Sequence, residues 1–155
     1  MKGSYVLIIK NKEDQNIKIG SLGNIFFKEG FYAYIGSALS SLEARIKRHL
    51  RDDKNLHWHI DYLLKKTEII EVFCKKSTTK EECDIANFFN QKLELIPGFG
   101  CSDCKCKSHL FYGECETLLE YSKSSNLVPC IHMVPTGKKY KIFCMIMFLW
   151  LKKEI

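Results

Sequence analysis

No stretch of this chain is apolar for long enough to cross a bilayer: the longest run, Ile142 to Leu151, is ten residues, about half of what a spanning helix needs. It is expected to pack on the domain or on a partner, with contact to a membrane face as the lesser alternative. The run Tyr5 to Ile9 is shorter still, too short for the apolar region of a secretory leader, so the protein is expected to be cytoplasmic. Internal repeats are absent, and 155 residues suit one domain that buries roughly two thirds of the surface its unfolded form would expose. Acidic residues are in the minority, 18 against 24 Lys plus Arg, for a net charge of +6. That bias toward polyanions carries weight because the cations cluster in Arg45 to Arg51.

Cysteine is present in quantity, at eight residues. Without a leader these are expected to be reduced thiols or metal ligands rather than a disulfide framework.

Tyr5 to Lys10 and Ile17 to Ile19 read as a hairpin around the polar stretch Asn11 to Asn16. Turns at Gly23-Asn24 and Glu29-Gly30 then set off strands at Ile25 to Lys28 and Phe31 to Ile35, so the first third is expected to be an antiparallel meander. Ser40 and Glu43 have capping-box spacing, which predicts a helix from about Ser41 to Arg51. Its buried stripe would be Leu42, Ile46 and Leu50, with Arg45 and His49 on one flank and Lys47, Arg48 and Arg51 facing outward. A second helix is expected over His57 to Lys65, a strand over Glu68 to Lys75, and a third helix over Thr79 to Leu93 with Ile85, Phe88, Phe89 and Leu93 apolar. The strand His109 to Tyr112 and a helix Glu116 to Ser122 follow. Beyond Ser124 the composition changes, with prolines at 129 and 135 and a basic Gly137-Lys138-Lys139, so 1–123 reads as one domain and 124–155 as an extension.

Several segments carry a resemblance. Tyr34-Ile35-Gly36-Ser37-Ala38, followed by Arg45-Ile46-Lys47-Arg48-His49, resembles the second half of the GIY-YIG nuclease signature. Gly3-Ser4-Tyr5 stands where the first half falls, with serine in place of isoleucine. The segments His57-Trp58-His59-Ile60-Asp61 and Gly98-Phe99-Gly100 to Cys106, with Ser108-His109-Leu110-Phe111, are similar to a small GIY-YIG-like family over about Lys2 to Tyr112. Members of that family occur alone or fused to the repair glycosylase endonuclease III.

The resemblance implies an α+β fold, a small antiparallel sheet flanked by helices, and a divalent-metal-dependent endonuclease acting on DNA, with a repair protein as an implied partner. Carried over by motif position, Tyr5 and Tyr34 would hold or deprotonate a water, Arg45 would brace the phosphate with its planar fork, and His49 would assist proton transfer. A carboxylate would bind Mg²⁺ or Mn²⁺: Glu82, with Glu81 and Asp84 as alternatives in the same stretch. An asparagine completes such sites, and only Ser102 or Asp103 stands near its place here. The tyrosines lie 29 positions apart (34 minus 5), wider than one tight hairpin, so an extra pair of strands would have to project outward. Lys47, Arg48 and Arg51 would meet the nucleic-acid backbone.

Other readings come from the residues directly. An isolated strand tyrosine ordinarily belongs to a core, and a glutamate at a helix start ordinarily serves the helix dipole. His57 and Asp61, four apart, could pair as imidazole and orienting carboxylate, or Asp61 could instead bridge to the basic helix. Cys104, Cys106 and His109, joined by Cys83, have the residue types of a tetrahedral zinc site, although C-x-C lacks the turn of a C-x-x-C knuckle; buried free thiols are the alternative. A non-catalytic nucleic-acid-binding module, or a zinc-stabilised partner-binding domain, would use the same features differently.

Overall fold

The computed structural model describes residues 1–130. Its centre is β1 (Gly3–Asn11), whose apolar residues are hidden on both faces so that only Lys10 is exposed. β1 pairs antiparallel with β4 (Gly30–Ala38) on one side and β5 (Glu68–Lys76) on the other. Tyr5 therefore lies opposite Gly36 on β4 and opposite Cys74 on β5. β7 (Leu110–Gly113) and β6 (Glu94–Leu95) extend the sheet beyond β4, and β8 (Val128–Pro129) adds to β5. The result is an α+β fold on one six-stranded antiparallel sheet, as expected.

Strand alternation divides the core. Tyr5, Leu7 and Ile9 face one side and pack with Leu42 and Ile46 of α1 (Leu42–Leu50) and with Ile60 and Leu63 of α2 (His59–Leu64). Val6 and Ile8 face the other, against Ile85 and Phe89 of α3 (Glu82–Asn90) and Leu118 and Leu119 of α4 (Cys115–Ser124). The sheet is thus a middle layer between two helical ones, and a residue at its end can meet α1 from one side while α3 lies on the other.

The expected meander does not form. β2 (Gln15–Lys18) and β3 (Asn24–Phe27) make their own two-stranded sheet, set aside from the main one. Both edges of β1 are taken by the longer β4 and β5, leaving none for β2. This hairpin is the insertion that separates Tyr5 from Tyr34 in sequence.

Several boundaries move for local reasons. The cap of α1 is Ser41, whose Oγ accepts from the Ala44 N–H at 3.1 Å, while Ser40 is exposed. α2 starts at His59 rather than His57 because the Asp61 carboxylate reaches back to the N–H groups of His57 and Trp58, fixing both outside the helix. α3 starts at Glu82 rather than Thr79, since Ser77 and Thr79 bond each other in a turn first. Phe88 is exposed, its ring on Tyr121 rather than in the core.

One cysteine pair departs from the expectation of reduced thiols. Pairing of β8 with β5 brings Cys130 beside Cys74, and the two are joined as a disulfide with Cα atoms 5.9 Å apart. The run Ile142 to Leu151 lies outside the described residues.

Candidate active site and thiol–imidazole cluster

Gly36 is the residue that lets the first site form. The ring and hydroxyl of Tyr5 occupy the space a Cβ at Gly36 would need, so only glycine admits the tyrosine across the strand pair. Its hydroxyl reaches Nε2 of His49 at 2.7 Å, and the ring of Tyr34 stands 6.4 Å from Tyr5 and 6.3 Å from His49. Tyr5, Tyr34 and His49 are thereby brought together at one end of the sheet. His49 is not on a flank of α1 as expected but on its buried face with Leu42 and Ile46.

Burial sets the protonation of this group. It lowers the His49 pKa to about 3, helped by the nearby Lys54 charge. Burial also pushes the tyrosines well above their ordinary value, against the pull of Arg45. At neutral pH the imidazole is therefore uncharged and the Tyr5 hydroxyl donates to it. That assignment places a hydrogen on Nδ1, which has no hydrogen-bond partner among the described residues.

Arg45 lies close enough for its charge to act on both tyrosines. It bonds the Ser37 carbonyl at 3.3 Å and covers the Trp58 ring at 4.4 Å. Arg48 covers the same ring at 4.3 Å, so Trp58 holds two guanidinium groups by cation–π attraction.

Arg48 does not face outward as expected. Both its terminal nitrogens bond the fully buried Asp61 carboxylate, at 2.8 and 2.9 Å. This fork, with the two backbone N–H groups, outweighs the cost of burying Asp61 and holds its carboxyl below the ordinary value. Asp61 thus bridges to the basic helix. It does not orient the His57 imidazole, since it takes only the His57 backbone N–H and the residue itself is exposed. The imidazole of His59 serves a separate contact, in which its Nδ1 accepts from the Gly100 N–H at 2.9 Å and ties α2 to the cysteine loop.

Of the three candidate carboxylates, Glu82 is the buried one whose charge is felt by Tyr5 and Tyr34. Glu81 pairs with Lys75, and Asp84 is exposed. Lys80, which no motif marks in the sequence, bonds Glu82 Oε1 at 3.0 Å and lies 3.8 Å from Asp103. Ser102 and Asp103 are exposed on the loop before His109, with Asp103 near the same Lys80 ammonium that pairs with Glu82.

Beside Glu82 lies the second site. Cys83 at the start of α3, Cys104 and Cys106 from the loop before β7, and His109 place one ligand atom each within 4.8 Å of one another. His109 Nε2 is 3.5 Å from Cys104 Sγ and 4.0 Å from Cys83 Sγ. Burial and the neighbouring thiols raise the Cys106 pKa, and burial also raises that of Cys83. Gathering thiols this closely becomes favourable when a cation among them stabilises the thiolates. This Cys₃His cluster can bind a metal ion.

A third feature was not legible as a run of charge. An open cavity of about 750 Å³ is lined by Lys10, Lys12, Arg51, Lys54, Lys65 and Lys66, against Asp52 and Glu68. His49 also lines it. The lysines come from three separated segments, so only the adjacent Lys65 and Lys66 gave a local signal. Arg51 faces this cavity and Lys47 is exposed on α1, but Arg48 is engaged by Asp61.

The fold and sites define a three-layer α+β domain with a buried tyrosine–histidine pair next to a thiol–imidazole cluster. The chain belongs to the family described as domain of unknown function DUF123, whose model matches residues 4–128. No curated protein and no solved structure matches it.

Proposed function

We propose that this protein is a GIY-YIG-type endonuclease hydrolysing phosphodiester bonds of DNA. The observation that carries the reading is the convergence of Tyr5, Tyr34 and His49, with the charges of Arg45 and Glu82 acting on both tyrosines. Hydrolysis needs an oriented water, a proton acceptor and a cation for the charge that develops on phosphorus. Tyr34, only partly buried, orients the water; Arg45 offers a planar donor to the phosphate. Tyr5 keeps its proton and donates a hydrogen bond to neutral His49, so the pair fixes the Tyr5 hydroxyl beside Tyr34 and is not a resident phenolate. The basic cavity next to His49 gives the neighbouring phosphates a track.

Two metals fit this reading. Glu82 supplies a hard oxygen suited to Mg²⁺ or Mn²⁺, and the Lys80 ammonium on its Oε1 marks a place where positive charge is already favoured. Such an ion would polarise the phosphoryl oxygens when bound. The Cys₃His cluster has the soft ligand set of structural Zn²⁺. A role in DNA repair, beside a repair protein, follows from the family resemblance.

A second reading is favoured by one observation. Tyr5 and His49 are 1% and 2% exposed, which suits a non-catalytic nucleic-acid-binding module in which the pair serves only the core.

Cleavage assays over duplex, branched and single-stranded DNA, and RNA, with Mg²⁺, Mn²⁺ or chelator separate the two. Arg45→Ala and Glu82→Ala should each lower cleavage by about a hundredfold or more, and Tyr34→Phe should slow it at unchanged melting temperature. Binding without metal-dependent cleavage supports the module. Cleavage undiminished in both alanine variants sinks the nuclease mechanism.

A further inference from the structure

We infer that a metal ion held by Cys83, Cys104, Cys106 and His109 orients Glu82 through the far nitrogen of His109. The inference deepens the zinc reading above, and its catalytic consequence rests on placing Glu82 in the nuclease site.

The two ring nitrogens of His109 face different groups. Nε2 points at the thiols, 3.5 Å from Cys104 Sγ, and Nδ1 lies 4.0 Å from Glu82 Oε2. Bond lengths of about 2.0 Å to nitrogen and 2.3 Å to sulfur in a tetrahedron put ligand atoms about 3.6 to 3.8 Å apart. The Cys104–His109 pair already has that spacing, and the wider separations in the cluster, up to 4.8 Å, need about one ångström of contraction to reach it. Half-buried side chains on a loop of exposed residues can supply it.

Without metal, the His109 proton can reside on either nitrogen. A metal on Nε2 leaves it on Nδ1, where Glu82 Oε2 at 4.0 Å and the Ile35 carbonyl are the acceptors within reach, and a shift of about one ångström brings the carboxylate to hydrogen-bond distance. Once that contact closes, the carboxylate stands between Lys80, already 3.0 Å from Oε1, and His109, 4.0 Å from Oε2 before metal binds. This is the metal–histidine–carboxylate relay that fixes ligand tautomers and strengthens metal binding. Sequence adjacency adds a second link, because Cys83 follows Glu82 in the first turn of α3 and any ligand bond to it holds that turn in place. Glu82 is therefore a positioning residue for the metal, and loading the cluster sets the carboxylate whose charge acts on Tyr5 and Tyr34.

The test uses the full chain with Zn²⁺ and Co²⁺ as probes. Wild-type protein should bind one equivalent of zinc, give thiolate-to-cobalt absorption with Co²⁺, and show the His109 proton held entirely on Nδ1 by ¹⁵N imidazole spectroscopy when metal is present. Glu82→Ala should weaken zinc binding about tenfold to a hundredfold while keeping the cobalt bands. Glu82→Gln retains an acceptor and should recover part of the loss, and it guards against a misfolded alanine variant. Lys80→Ala should change affinity little. Zinc affinity unaltered in both Glu82 variants, or a proton that stays off Nδ1 with zinc bound, overturns the coupling while leaving the nuclease reading untouched. Absence of stoichiometric zinc from the wild type overturns the cluster itself. Intact coupling in a protein that cleaves nothing leaves this inference standing and removes the nuclease reading alone.

Discussion

The Tyr5 hydroxyl meets Nε2 of His49 at 2.7 Å across 44 positions of sequence, and both side chains are almost wholly buried. The bond joins the central strand to the last turn of α1, and its cost is a histidine that stays neutral.

That cost predicts a pH dependence of stability. Folding lowers the His49 pKa from 6.5 to about 3, chiefly by burial and then by Lys54. Below pH 6.5 the unfolded chain binds a proton that the folded one refuses, so stability falls as pH drops from 6.5 toward 3. From about pH 7 to about pH 5 this one group should remove about 2 kcal/mol. His49→Gln keeps an acceptor for Tyr5 and should lose that part of the slope. Urea unfolding at both pH values measures it; identical slopes in the two proteins would mean that His49 is not held neutral.

The Arg48–Asp61 fork predicts an asymmetry between neighbouring cations. Arg48→Ala leaves a buried carboxylate with only its two backbone donors and should cost about 3 kcal/mol, at the lower end for breaking a buried pair. Lys47→Ala, one position away and exposed, should fall within about 0.5 kcal/mol. Denaturant midpoints compare them. Equal losses would show that the fork does not hold Asp61.

The basic cavity predicts where phosphates contribute. Replacing Lys10, Lys65 and Lys66 together with Ala should flatten the slope of log affinity against log salt by about two to three. Lys47→Ala should change it by about one at most. A triple variant with the wild-type slope would put the nucleic-acid surface elsewhere, and binding that ignores salt would argue against nucleic acid as the ligand.

Much of the architecture is legible in the order of residues. The β-branched run at Tyr5 to Lys10, the turn glycines and the helix signals around Leu42 to Leu50 depend on near neighbours, so they mark strands and helices to within a few residues. Residue types alone also indicate Cys104, Cys106 and His109, with Cys83, because thiolate and imidazole form a recognisable ligand set wherever they occur. Ser40 reads as the cap in place of Ser41 since both precede an acidic residue, and only backbone geometry decides which oxygen reaches Ala44.

Long-range choices are not legible. Whether β1 pairs with its own hairpin neighbour or with β4 depends on which partner covers more of its length, and the longer strands win. Arg48 looks solvent-facing because helical periodicity knows only one helix; α2, whose Asp61 comes 13 residues later, brings that carboxylate against it. His49 reads as a flank residue until Tyr5 crosses above Gly36 to meet it. Local physics acts over one or two turns of chain and is written in order along it. The buried charges, the neutral histidine and the gathering of thiols beside Glu82 arise only where distant segments exclude water from one another, and packing of the whole fold decides that.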